Sequence, residues 1–321
     1  MSPSRRKVLH LLAAGALAGG PRVVFAQQSS ALMRSTQPLR LVQGFPPGGA
    51  VDRVAKVLAP ELARELGRPV IGEYLTGANG IRAIRAVVET TSDSDVVLFA
   101  TSAIANRSDP AVAASRIETL KPVIMTSTTP MALAVRESLG IDDVPAFVRR
   151  LKSDPPLAYG SSGTGNGTHI AAADLVSRVG GNATHVPYQG APQVLADLAG
   201  GHIDFATLGV SAALAQLPSV RVLAVTTAQR TRLPGFERLP TIAETVAPGY
   251  DISLWQAVLA PPTFSGASID DLHRRLDAIL ALDRVRVALA AAGAEPVGGS
   301  PEKAEALIRA EVERFGAIVG K

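Results

Sequence analysis

Between Leu157 and Ala191 the chain reads LAYGSSGTGNGTHIAAADLVSRVGGNATHVPYQGA. A short apolar strand runs into a glycine-rich turn, a helix opens on Thr168 and His169, and a second strand stops at Tyr188-Gln189-Gly190. Such a turn is expected to leave unpaired backbone N–H groups above a helix N-terminus, where the helix dipole also favours negative charge. The chemistry it offers is anion binding.

Nucleotide and hydrolase readings of this stretch fail on spacing. A dinucleotide fingerprint needs G-x-G-x-x-G and an acid at the end of the next strand. Gly163 and Gly165 fit, but the sixth position is Thr168 and the following strand ends at Tyr188. A phosphate loop needs Gly-Lys-Ser/Thr, and the chain's single Gly-Lys pair is Gly320-Lys321. Ser161 and Ser162 sit at a strand-to-helix turn like a nucleophile elbow, yet the glycine required at 164 is threonine. His169 stands too close in sequence to serve as a general base by analogy, so no catalytic residue is assigned. The histidines beyond the N-terminal segment, His169, His185, His202 and His273, lie on separate elements, and the chain has no cysteine. No metal site and no cofactor are expected.

Side chains near the glycine turns each admit a structural and a binding role. His169 reads as a polar cap that steadies its turn, and His185 as a core histidine. Asp52 either places charge at a helix N-terminus or meets a ligand ammonium or a fixed water. Arg82 and Arg85 face solvent in one reading and meet an anionic ligand through Arg82 in the other. Trp255, the sole tryptophan, reads as packing, with a cleft-lining role open to it at a lobe crossing.

Two halves with one grammar must position these turns. The first runs strand (Leu39 to Val42), turn (Phe45 to Gly49), helix, strand (Val70 to Tyr74), turn (Thr76 to Gly80), helix, strand (Val96 to Thr101). Its first helix places Val51, Val54, Ala55, Leu58, Leu62 and Leu66 at helical spacing and stops at Gly67. The second half repeats the order from Leu157 to Thr207, with helix stops at Gly180-Gly181 and Gly200, and Pro192 in a first helical turn. Strands alternating with helices imply parallel pairing, with ligands beyond the carboxyl ends of the strands. The expected fold is α/β and two-lobed, each lobe a mainly parallel sheet flanked by helices, with the ligand cleft between lobes. Crossings are expected near Met131 to Val135 and Leu254 to Leu259. This gives lobe 1 as residues 36–132 and 255–321 and lobe 2 as 133–254. A helix capped by Ser268 and another begun by Pro301 are assigned to packing on lobe 1.

The first 26 residues combine Arg5, Arg6 and Lys7, an apolar run from Val8 to Ala18, and small residues before Ala26. This is an export signal, of either secretory or twin-arginine type, with cleavage near Ala26 and a periplasmic destination. Removing it lowers Lys+Arg from 32 to 28 against 28 Asp+Glu, so the exported chain is close to neutral. That balance argues against a nucleic-acid or acidic-membrane surface.

The chain resembles the Bug family of periplasmic solute receptors, the binding proteins of tripartite tricarboxylate transporters. The resemblance rests on FPPGGAVD at Phe45 to Asp52, Gly77-Ala78-Asn79-Gly80, GSSGTGNGTH at Gly160 to His169, HVPYQGA at His185 to Ala191 and GGHIDF at Gly200 to Phe205. It implies a type II-like binding-protein fold that closes on a small carboxylate, with a membrane permease as partner and a monomeric state. Carried over by position, Phe45, Gly48, Gly49 and Asp52 form the first-lobe seat, with Gly77, Ala78 and Gly80 beside it. Ser161, Gly163, Gly165, Thr168, Tyr188, Gly190, Ala191 and Asp204 form the second. The sequence departs from the family's pattern at Ala50-Val51, at Tyr74, at Asp93-Ser94-Asp95, and in a shortened stretch from Asp109 to Pro122. Coupling to a sensor kinase instead of a permease, and a serine hydrolase built on Ser161 or Ser162, are the rival readings.

Overall fold

The computed structural model describes residues 35–91, 95–106, 110–210, 213 and 219–319. The expected export segment, the Asp93-Ser94 pair and Asp109 lie outside the described residues.

In the first half, β1 (Leu39–Gln43), α1 (Ala50–Leu66), β2 (Val70–Tyr74), α2 (Ile81–Val88) and β3 (Val96–Thr101) follow in order. Val51, Val54, Ala55, Leu58 and Leu62 of α1 are buried, and Gly67 ends the helix at φ 65°, a conformation glycine adopts without penalty. β1 lies between β2 and β3, parallel to both. The second half repeats this arrangement after α3 (Val144–Leu151). Its β5 (Leu157–Ser161), α4 (Gly167–Arg178), β6 (Ala183–Pro187), α5 (Ala191–Gly200) and β7 (Phe205–Gly209) form the matching set, with β5 parallel to β6 and β7.

Two long strands join the halves. β4 (Lys121–Arg136) pairs through Lys121 to Pro130 with β9 (Ser253–Ala260), and through Met131 to Val135 with β7. β9 in turn pairs with β3. Both pairings are antiparallel, so each parallel triad carries an antiparallel fourth strand that comes from a crossing. β8 (Val220–Val225) and the short β10 (Glu295–Pro296) also pair with β4. The strand order is β2-β1-β3-β9-β4-β7-β5-β6, continuous through the crossing.

Three local expectations are corrected. Gly201, at φ 77°, is the left-handed residue that stops α5, and Gly200 is its last helical residue. The cap of α6 (Gly266–Ala281) is Ser265, whose Oγ accepts from the Ser268 N–H. After α7 (Asp283–Ala291), the last helix, α8 (Pro301–Val319), packs on β4 but also reaches α4 of the second half, so it is not confined to one set of strands. The reason is its buried seam: Ala304, Ile308 and Phe315 join the core cluster that includes Ile170, Ala171 and Tyr250. Trp255 is buried in that same cluster and lines neither cleft cavity.

Thr226, just past β8 and fully buried, ties the two crossings together. Its Oγ1 donates to the Ile252 carbonyl at 2.6 Å and accepts from the Met131 N–H at 3.2 Å. The backbone adds Thr226 N–H to Met131 O and Ile252 N–H to Thr226 O. Thr226→Val keeps the shape and removes the hydroxyl. We expect it to lower stability by about 1–2 kcal/mol in urea unfolding, the cost of unpaired buried acceptors and donors.

Candidate ligand-binding cleft

The first jaw is the turn between β1 and α1. Gly48 adopts φ 89°, and its N–H donates to Asp52 Oδ2 at 2.7 Å. Asp52 is buried and also accepts from Lys56 Nζ at 2.8 Å and Tyr74 OH at 2.6 Å. Burial pushes the Asp52 carboxyl upward, but these three donors outweigh it and hold its pKa below the ordinary carboxylate value. Asp52 is thus a structural brace for the turn, and the ring at Tyr74 points its hydroxyl at that brace. The residue before α1 is Gly49, which supplies no side-chain cap. The N–H groups of the first turn therefore lack both an intrahelical acceptor and a cap.

The second jaw differs from expectation in where its free donors lie. Asn166 caps α4, its Oδ1 accepting from the N–H groups of Thr168 and His169 and from Thr168 Oγ1. Thr168 Oγ1 in turn accepts from Ser162 N–H, Ser161 Oγ from Gly163 N–H, and His169 Nδ1 from Gly165 N–H. Most amides of the glycine-rich turn are satisfied inside it, because short polar side chains are interleaved with the glycines. The open helix start of this half is α5. Its N-cap is Gly190, which provides no side-chain bond, and Pro192 follows at the second helical position.

The starts of α1 and α5 meet. A Cβ on Gly190 would fall 2.9 Å from Pro46 Cγ, and one on Gly48 would fall 3.9 Å from Pro192 Cγ. A cleft lies between them, about 590 Å³ when the space open to solvent is counted, lined by Phe45, Gly49, Ala50 and Val51 from one jaw and Ser162, Thr168, Gly190 and Ala191 from the other. Ser102, at the carboxyl end of β3, also lines it, and its fully buried Oγ has no partner among the described residues. Apolar walls come from Leu208 and Leu254. Among the described residues Arg53 is the one charged residue that lines the cavity. A second cavity, about 870 Å³ and reaching outward, shares Phe45 and Ser162 with the first and adds Gly77, Ala78, Gly80, Gly163 and Tyr188.

Other anticipated residues stand off the cavities. Asp204 sits just before β7, at the amino end of its sheet, where it accepts from Arg136 Nε and the Ala158 N–H. Gly165 presses on Asn106, whose Nδ2 lies 2.0 Å from where a Cβ would be built. Arg82 is exposed and donates to the Thr76 carbonyl. Ser161 is fully buried and 2.7 Å from His185 Nε2, while His185 stacks on His169 at 4.0 Å between ring centres. Among the described residues no carboxylate is hydrogen-bonded to that histidine, and its ring stacks on Tyr159 and His169. Ser102 and Leu208 were legible in principle, since both follow the rule that ligands lie at strand carboxyl ends. Arg53 carried no signal and reads as an ordinary solvent-facing helix residue. Among the described residues no His, Cys, Asp and Glu cluster could hold a metal, and no helix is long and apolar enough to cross a membrane.

Burial, with the neighbouring His169, pushes the His185 pKa from 6.5 down to about 4. Between those values the unfolded chain takes up the proton and the folded chain resists it, so stability is full above about pH 6.5 and is lost as pH falls toward 4. Thermal melts across this range should show Tm falling with acidification, and His185→Phe should flatten that dependence. An unchanged slope in the variant would place the titration elsewhere.

Comparison with known proteins bears on this geometry. Residues 54–321 match the family described as tripartite tricarboxylate transporter family receptor. Protein BugT of Bordetella pertussis is 29% identical over 88% of this chain and 88% of its own. The structure described as R. palustris Rpa4515 with adipate is 30% identical, with a TM-score of 0.81, covering 89% of this chain and 97% of that one. Another, described as a periplasmic transporter, is 25% identical with a TM-score of 0.83, covering 90% and 98%. With a two-lobed binding-protein fold and a match over most of its length, the chain belongs to the tripartite tricarboxylate transporter receptor family, as a solute-binding receptor and not an enzyme.

Proposed function

We propose that this receptor captures a small carboxylate in the cleft between α1 and α5 and delivers it from the periplasm to a membrane permease. One observation carries the reading: two helix starts without side-chain caps face one cavity that also holds the unpartnered Ser102 hydroxyl. Both helix dipoles favour negative charge there, and backbone and hydroxyl donors match a carboxylate. Adipate in the Rpa4515 structure, at 30% identity, supports the same ligand class. In this reading the ligand contacts are made by Phe45, Gly49, Thr168, Gly190 and Ala191 together with Ser102 and Ser162. Gly77, Ala78, Gly80, Gly163 and Tyr188 line its entry.

The lobes are residues 36–132 with 255–321, and 133–254, and they swing about the β4 and β9 crossings. Export follows cleavage near Ala26, and the receptor acts as a monomer. The near-neutral exported chain is consistent with binding an anion through helix starts instead of a cluster of arginines.

A panel of mono-, di- and tricarboxylates tests the reading by thermal shift and calorimetry. A true ligand at 100 times its Kd stabilises the folded state by about 2.7 kcal/mol. No shift and no binding heat at millimolar concentrations would overturn the assignment. A second variant tests closure. Gly190 has extended backbone, φ 164°, which valine also adopts, but its side chain would strike Pro46 of the opposite jaw. Gly190→Val should fold normally and bind about tenfold or more weakly, because the closed state becomes rarer. Unchanged affinity would show that the jaws need not meet at this point.

A further inference from the structure

Arg53 is a charged group whose hydrogen bonding is incomplete. It projects from the first turn of α1, where its Nη1 donates to the Gly48 carbonyl at 2.7 Å and its Nε to the Ala292 carbonyl at 3.4 Å. Both acceptors are neutral. Its Nη2 is buried and has no partner among the described residues. The nearby carboxylate of Asp52 is committed to Gly48, Lys56 and Tyr74. Burial accordingly pulls the guanidinium pKa below its ordinary value, with the Asp52 charge acting in the opposite direction. A guanidinium stays charged all the same, and on this half-buried side chain it is costly to leave the buried Nη2 with no carboxylate bonded to it among the described residues.

This side chain lines the cavity that also receives the helix starts of α1 and α5. Those starts, with Ser102, supply neutral donors enough for one carboxylate. Arg53 adds a full positive charge that this first carboxylate does not require. The cavity's lining also includes Val51, Leu208 and Leu254, apolar side chains that suit an aliphatic spacer. We propose that Arg53 reads a second anionic group on the ligand and makes the receptor selective for aliphatic dicarboxylates over monocarboxylates of the same chain length. The inference rests on the cleft being a carboxylate site and assigns the specificity within it. Arginine suits the role because its fork is already fixed by Gly48 and Ala292, leaving one N–H edge to offer.

Calorimetry on the exported chain decides it, using aliphatic diacids of three to eight carbons, the matching monoacids, and monomethyl adipate. The wild type should prefer a diacid to its monoacid by about tenfold or more, the range of a charge-assisted hydrogen bond. Arg53→Gln should bring the diacid down to the monoacid's affinity while changing the monoacid by no more than about threefold, and Arg53→Lys should recover part of the preference. Equal loss of both acids in Arg53→Gln, or a preference that survives the substitution, overturns the proposal. Should Arg53→Gln fail to fold, adipate against monomethyl adipate on the wild type decides alone, and equal affinities overturn it. Binding of none of these acids by the wild type overturns the carboxylate reading itself, and this inference with it.

Discussion

Backbone N–H groups in the first turn of a helix have no acceptor within the helix, and a glycine before them offers none beside it. This constraint shapes the cleft. Gly49 and Gly190 each precede a helix without capping it, and the fold brings these two starts against one another. Much around them is already engaged: Asp52 is occupied by three donors, and most of the glycine-rich turn before α4 is bonded to its own side chains, while Ser102 Oγ and Arg53 Nη2 have no partner among the described residues. Donor capacity is thereby concentrated at the α1 and α5 starts.

The sheet explains why those starts face each other. Each half is a parallel triad whose carboxyl ends carry the turns, and each receives an antiparallel strand from a crossing. Because β4 runs through both sheets, the two triads are fixed to a common rod and their turns open toward one gap. The crossing is unusually polar for a core. Thr126, Ser127, Thr129, Thr226 and Gln256 are buried there, linked by bonds such as Ser127 Oγ to Gln256 Oε1 at 2.8 Å. Such a network specifies register in a region that must keep two lobes aligned.

The electrostatic design follows the same economy. Among the described residues Arg53 alone brings a charge to the inner cavity's lining, and the polar contribution otherwise comes from hydroxyls and helix ends. A closing gap that excludes water strengthens each of these donors, since they no longer compete with solvent. Histidines 169 and 185 lie behind the turn, stacked and neutral near physiological pH, where they hold Gly165 and Ser161 instead of meeting ligand.

Much of this was open to reading along the chain. Apolar spacing located α1, Gly67 marked its stop, and the repeated strand-turn-helix order announced two similar halves with turns at the carboxyl ends, because such patterns depend on residues a few positions apart. Donor accounting was not open to it. Asn166, His169 and Thr168 satisfy amides within their own turn, so the stretch that reads as the obvious anion seat is largely self-contained. Asp204 and Ser161, residues of the right chemistry, are turned to Ala158, Arg136 and His185. Ser102 and Arg53 line the inner cavity through what surrounds them at long range. Sequence alone determined the two-lobed α/β architecture and the family, since local periodicity and ordered motifs encode both. Tertiary structure alone decided which donors remain free, because a hydrogen bond is spent or spared according to which distant atom the fold brings within about 3 Å.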